Sequence, residues 1–222
     1  VLASLLFLPS CEKNLNAPEM SDQEFFLDEN SPSGTIVGVV NASDVDEETI
    51  LGFLILEGNV NSTFLISETT GVLTVGNPSA LDYEKNTEFI LKIRVDDQHP
   101  GDPRMSEAII SIYLNDLNEH APELEDHLFQ MEEYPRPDSL IGQIIASDND
   151  SNQTLIYTIA SGNDDQAIYL DSLSGEIYVA DSSQFDLNVN QKINCMVMVS
   201  DNHPTDPKKD FAMLTVEIKE GN

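Results

Sequence analysis

One spacing governs this chain. Phe25-Phe26-Leu27-Asp28-Glu29 returns as Phe129-Gln130-Met131-Glu132-Glu133, with Glu29 and Glu133 standing 104 positions apart. The same spacing carries Asp44 and Asp46 onto Asp148 and Asp150, Gly58-Asn59 onto Gly162-Asn163, and Gly71 onto Gly175. It carries Leu81-Asp82-Tyr83-Glu84 onto Phe185-Asp186-Leu187-Asn188, and Asp97-Gln98-His99-Pro100 onto Asp201-Asn202-His203-Pro204. A gap-free repeat through most of 222 residues means two copies of one domain of about 100 residues, a common domain size. Asn16-Ala17-Pro18 aligns with His120-Ala121-Pro122, which sets the first repeat at residues 14–118 and the second at 119–222. Glu220-Gly221-Asn222 aligns with Asp116-Leu117-Asn118, so the sequence is expected to stop inside a further linker of a longer array.

Each repeat reads as β. Leu91, Ile93 and Val95 alternate with polar residues, the pattern of a half-buried strand, and Cys195, Val197 and Val199 are their equivalents. Cys195 therefore stands at a core position and is expected to be a buried thiol rather than a disulfide partner. Thr35 to Val40, Leu51 to Leu56, Gly71 to Val75 and Ile109 to Leu114 give further short strands, separated by Gly, Pro, Asn and Asp. Short strands at this spacing, with no long 3.6-period stretch, predict an all-β fold of two tandem Greek-key β-sandwiches.

The chain holds 40 acidic and 10 basic residues, a formal charge of −30. Such a surface repels nucleic acid and anionic membranes. Its 40% hydrophobic content still fills packed cores. The acids fall at strand ends and in connections: Glu29, Asp44 with Asp46, Asp82 with Glu84, Asp97, and Asp116 with Glu119. Read as extended chain, a D-x-D pair puts two carboxylates on one side, because side chains alternate with period two. Such clusters repel one another unless a cation joins them. Calcium suits them, taking six to eight hard oxygen ligands, whereas zinc would want Cys and His. A solvated, halophile-like acidic surface is the other reading of the charge.

These motifs resemble the cadherin family over essentially all of residues 14–222. The resemblance rests on Asp28-Glu29-Asn30, Ala42-Ser43-Asp44-Val45-Asp46, Leu81-Asp82-Tyr83-Glu84, Ile93-Arg94-Val95-Asp96-Asp97, and Asp116-Leu117-Asn118-Glu119-His120-Ala121-Pro122. It implies immunoglobulin-like sandwiches and up to three calcium ions between successive repeats. It assigns Glu29, Asp82, Glu84 and Glu119, with Asp150, to two of them. Asn118, Asp148, Asp150 and Asp201, with the His120 carbonyl, fall to the third, and Asp116 belongs to the same linker motif. Asp44, Asp46, Asp97 and Asn14 would hold at most one ion, since Leu15 stands where a linker Asp belongs. Glu119 replaces the family's Asp, Tyr83 its Arg, and Asn188 the second repeat's equivalent of Glu84. The chain has no Trp, so an adhesive strand swap anchored by Trp is excluded.

Residues Val1 to Leu8 form an apolar run ahead of Pro9-Ser10-Cys11. Leu8-Pro9-Ser10-Cys11 resembles a bacterial lipobox, which makes Cys11 the expected lipidation site and residues 1–13 a signal remnant. Pro9 departs from the usual small or aliphatic residue there, and an ordinary signal peptide or a first strand fits the run as well. Cell-surface placement through a lipid anchor follows from the lipobox reading.

Paired carboxylates also mark glycosidases. Here each pair belongs to a repeated cation motif, and catalytic pairs seldom duplicate so regularly. No Ser-His-Asp or Cys-His arrangement and no phosphate loop accompanies them. Two function classes remain for a non-enzyme. One is a calcium-rigidified adhesion or recognition module whose partner is a cell-surface protein, homophilic or not, or a polysaccharide. The other is a passive spacer carrying a catalytic or carbohydrate-binding domain away from the membrane.

Overall fold

Alternating burial builds both halves of this computed structural model, which describes residues 14–46, 49–151 and 153–221. Cys11, the expected lipid carrier, lies outside the described residues. The chain divides into two compact units, with the boundary between Asp116 and Leu117.

The first unit contains β1 (Gln23–Asp28), β2 (Ile36–Val39), β3 (Gly52–Glu57), β4 (Phe64–Ile66), β5 (Val72–Val75), β6 (Glu88–Asp96) and β7 (Met105–Asn115). A four-stranded sheet runs β1-β7-β6-β3 and a three-stranded sheet runs β2-β5-β4. The β1–β7 pairing is parallel; the other pairings are antiparallel. One core joins the sheets: Leu27, Phe53, Leu91, Ile93, Val95, Ile110 and Ile112 come from one, and Phe64, Leu73 and Val75 from the other. Leu91, Ile93 and Val95 are fully enclosed, as their alternation predicts. Each side chain so buried contributes roughly 1.5–3 kcal/mol.

The second unit repeats the plan with β8 (Glu123–Leu124), β9 (His127–Glu132), β10 (Leu140–Gln143), β11 (Ala146–Ser147), β12 (Ile156–Ser161), β13 (Ile168–Leu170), β14 (Glu176–Val179), β15 (Lys192–Ser200) and β16 (Lys209–Lys219). Its sheets run β12-β15-β16-β9 and β10-β14-β13, with a short β11-β8 pair beside them. Cys195 is a free, buried thiol in its core, and burial pushes that thiol up to about 11. Gly162 and its counterpart Gly58 both have φ of +85°, and a Cβ there would stand 2.3 Å from Asn194 O and 1.9 Å from Ile90 O respectively. The repeated glycine is thus required twice over, by conformation and by close approach.

Two features differ from the sequence reading. The three-residue strands β4 and β13 were not expected, being too short to show a period. Leu117 and Asn118 fall with the second unit. The Asn118 side chain binds there, donating to Asp201 Oδ2 at 2.9 Å and to Asp206 O at 2.8 Å.

Candidate metal centre

Strand ends collect the acids. In the first unit Glu29 follows β1, Glu84 lies in the connection before β6, and Asp116 follows β7. Their carboxylates each offer an oxygen, and these oxygens lie within 4.8 Å of one another. Glu29 is almost fully buried, at 1% exposure, and its Oε2 accepts the Tyr83 backbone N–H at 2.7 Å. Two unit charges about 4 Å apart interact by about 1 kcal/mol in water and about 4 kcal/mol where the effective dielectric is near 20. Three negative groups at this spacing therefore favour a bound cation. Asp82, beside them in sequence, is paired with Lys85 Nζ, and the Asp82 carboxylate raises that lysine's pKa.

The opening end of each unit has a second construction, repeated 104 residues apart. Asp44 Oδ1 accepts the Asp46 N–H at 2.8 Å, and Asp148 Oδ1 accepts the Asp150 N–H at 3.1 Å. The D-x-D motifs are therefore Asx turns rather than the extended segments expected, because a short Asp side chain competes well for a nearby backbone donor. Asp46 then accepts the N–H groups of Asn16 and Leu15, at 2.8 and 2.9 Å, and the Asn16 amide at 3.0 Å; the two Asn16 bonds first, then that from Leu15, hold its carboxyl below the usual range. Asp150 accepts the His120 N–H at 3.0 Å. The remaining oxygen of each turn, Asp44 Oδ2 and Asp148 Oδ2, is buried and has no hydrogen-bond donor among the described residues. A buried carboxylate oxygen left so is costly, and a cation is the ligand that an acceptor-only group can still take. The residues therefore fit calcium: the donorless Asp44 and Asp148 oxygens are hard and anionic, the kind of ligand calcium takes.

Asp97 and Asp201 have a structural duty besides. Asp97 Oδ1 accepts the His99 and Arg104 N–H groups at 3.1 and 3.0 Å, closing the loop after β6. Asp201 does the same with His203 and Lys208, both at 3.0 Å. Burial pushes both carboxyls up, but these backbone donors and the Asn14 and Asn118 amides outweigh it, leaving both below the usual value. The amides were not anticipated in this role. Asn118 Oδ1, the atom a cation would need, instead accepts from Gln153 at 2.9 Å, while its Nδ2 faces Asp201. An amide beside an uncompensated carboxylate turns its N–H outward to it. Glu119 is exposed, and His120 is half-buried.

The closing end of the second unit differs in kind. Glu133 accepts the Leu187 N–H at 2.9 Å, as Glu29 does from Tyr83. Asp186, however, is engaged by the Tyr134 hydroxyl and by both the backbone and the side-chain N–H of Asn188. Tyr134 first, then Asn188, holds the Asp186 carboxyl below its usual value.

The Cadherin domain family description matches residues 23–115, and the description "CELSR2-like, ninth cadherin domain" matches residues 115–213. The chain belongs to the cadherin family. Among curated relatives, mouse Cadherin EGF LAG seven-pass G-type receptor 1 is 32% identical over 197 residues, which is 84% of this chain and 6% of that protein. Human Protocadherin Fat 4 is 33% identical over 187 residues, 79% of this cadherin chain and 4% of that protein. The chain thus spans less than a tenth of the length of these relatives. Among solved structures, the Protocadherin GammaB4 extracellular domain superimposes with a TM-score of 0.81 at 23% identity, covering 93% of this chain and 35% of that one. The human Desmocollin-1 ectodomain does so with a TM-score of 0.75 at 28% identity, covering 94% and 43%. The relatives are animal receptors and protocadherins, which gives the lipobox reading of Cys11 no support. Among the described residues no helix is long and apolar enough to cross a membrane.

Proposed function

We propose that this chain is part of an extracellular adhesion or recognition protein and that calcium held at its acidic ends stiffens the array of repeats. Glu29, Asp82, Glu84 and Asp116 would supply ligands from the first unit. Asn118, Glu119, His120 through its carbonyl, Asp148, Asp150 and Asp201 would supply them from the second, across the short Asp116–Pro122 linker. The observation that carries the reading is the buried, donorless Asp148 Oδ2, repeated at Asp44. Membership in a family of receptor ectodomain repeats supports the extracellular role, with a cell-surface protein as partner. The ion's contribution is charge: it relieves the carboxylate repulsion and fixes side chains that otherwise bond to backbone. Because a ligand bound only by the folded chain stabilises it by mass action, calcium is expected to raise the melting temperature and magnesium far less. Asp148→Ala is expected to remove most of that rise. A melting temperature indifferent to calcium would return the acids to the status of a solvated surface.

A further inference from the structure

The outer face of the three-stranded sheet differs in kind between the two units. In the second unit β13 and β14 set Tyr169 opposite Tyr178, and β10 sets Leu140 on the other side of Tyr178. Both tyrosines alternate with the buried Ile168, Ile177 and Val179, so their rings stand outward. The rings stack, with centroids 4.9 Å apart and planes inclined by 11°. A polar row lies beside this one. Gln143 is paired to Glu176, and the Asp171 backbone N–H donates to Glu176 O at 2.8 Å. The Tyr178 hydroxyl donates to Glu176 Oε2 at 2.7 Å, and Asp171 Oδ1 accepts the N–H groups of Ser174 and Leu173 at 2.8 and 2.9 Å. In the same register the first unit holds Ile36, Thr74 and Leu65 in place of the first row, and Val39, Val72 and Ser67 in place of the second. None of those six is aromatic or charged. The fold does not need the tyrosines or the carboxylates at these positions, because the first unit forms the same sheet without them.

Chemistry narrows what such a face can hold. β13 is the last strand of its sheet, so among the described residues no strand of that sheet lies beyond the Tyr169 ring, and Tyr169 is 43% exposed. Tyr178 covers one face of that ring, and the face turned away from it is the accessible one. The face of a tyrosine ring carries the negative end of its quadrupole and attracts a cation held over it. The hydrogen bond to Glu176 first, then burial and the Glu176 charge, push the Tyr178 phenol up to about 12, so it stays protonated and holds Glu176 in place at neutral pH. β10, β13 and β14 carry no Lys or Arg to neutralise Glu176 and Asp171. A guanidinium answers both features at once, because it is planar, stacks on an aromatic ring and forks to a carboxylate. A compact ammonium lacks the fork, and an uncharged sugar leaves the carboxylates unanswered.

We propose that this face of the second unit receives an arginine side chain from a basic segment of a partner protein, with the guanidinium lying on the Tyr169 ring and paired with Asp171 and Glu176. The net charge of −30 draws a basic segment to the chain as a whole, and the tyrosine stack gives it one place to dock. The proposal deepens the recognition reading by giving the partner's chemistry, and it uses no residue of the cation sites.

The probe is a short peptide of alternating Arg and Ser, titrated calorimetrically into the whole chain in saturating calcium. A Lys and Ser peptide of the same length and an uncharged oligoglucose are titrated beside it. Tyr169→Leu/Tyr178→Thr installs the first unit's own residues and leaves the net charge at −30, so attraction by bulk charge alone is the same in both proteins. The expected result is that the wild type binds the Arg peptide about fivefold more tightly than the variant does, and more tightly than it binds the Lys peptide. Equal binding by wild type and variant leaves bulk charge only and overturns the proposal, as does no binding by the wild type. A Lys peptide that binds as tightly as the Arg peptide overturns the guanidinium. Oligoglucose binding that the variant loses would give the face to carbohydrate and overturn it too. Should the double variant lose its folded melting transition, Tyr169→Leu alone is read by the same outcomes, with an expected loss of about threefold. The calcium-dependent rise in melting temperature, measured on the same proteins, distinguishes failure of this face from failure of the cation reading.

Discussion

Asn118 Nδ2 lies 2.9 Å from Asp201 Oδ2, and 104 residues earlier Asn14 Nδ2 lies 2.7 Å from Asp97 Oδ2. Each amide also donates to a backbone carbonyl, Asp206 O or Asp102 O, in the loop that the aspartate closes. The linker asparagine thus ties the chain's entry into each unit to the loop after that unit's long central strand. Asn118→Ala removes three such bonds, including the one from Gln153. Without calcium it should cost about 1–3 kcal/mol, since hydrogen bonds to a charged partner exceed neutral ones. Urea denaturation in chelator measures it.

Acid should loosen both loops. Asp97 and Asp201 have folded-state pKa values below the usual 3.8. A carboxyl depressed by folding contributes stability above its unfolded pKa and loses it as pH falls through the folded value. The contribution is therefore complete above about pH 4 and disappears below it. In chelator, the melting temperature should fall more steeply below that pH in the wild type than in Asp97→Asn/Asp201→Asn, whose starting stability is lower. Parallel curves would remove these two groups from the acid transition.

Glu84→Gln should change sign with the ion. Its carboxylate sits with those of Glu29 and Asp116. Glu84 is exposed, so its share of the repulsion is near the aqueous value of about 1 kcal/mol. In chelator the substitution should leave stability unchanged or raise it by about that amount. In saturating calcium it should lower stability instead. Paired melts of the two proteins in both buffers decide this.

Cys195 should be silent in the native state. It is 1% exposed, its Sγ contacts Gly162 O at 3.4 Å, and burial pushes its thiol up to about 11. Thiol-specific labelling of the described core at about pH 8 should proceed only after denaturant is added, because the thiolate is the reactive form. Rapid modification of Cys195 in the folded protein, located by peptide mapping, would contradict its place in β15.

Much of the fold was legible because strand alternation needs only single residues to show itself: Leu91, Ile93 and Val95, then Cys195, Val197 and Val199. Strands β4 and β13 were not, since three residues contain no period to read. That Glu29, Glu84 and Asp116 stand at strand ends and in connections was legible from motif position; that these three bring oxygens within 4.8 Å of one another was not, since the family resemblance grouped Glu29 and Glu84 with Asp82, Glu119 and Asp150. Hydrogen-bond direction was not. Composition cannot say that Asp44 and Asp148 give one oxygen to their own turns, or that the Asn118 amide turns its nitrogen to Asp201.

Two positions related by the repeat carry the central claim. Glu84 stands with Glu29 and Asp116, whereas Asn188, its equivalent, spends its side chain on Asp186. Calcium titration calorimetry on the wild type, Glu84→Ala and Asn188→Ala therefore tests it most directly. The wild type should bind with a dissociation constant near the range of extracellular modules, about 10⁻⁴ to 10⁻³ M. Glu84→Ala should weaken that binding at least tenfold, and Asn188→Ala should leave it unchanged. Equal loss in both variants, or no binding by the wild type, would contradict the account.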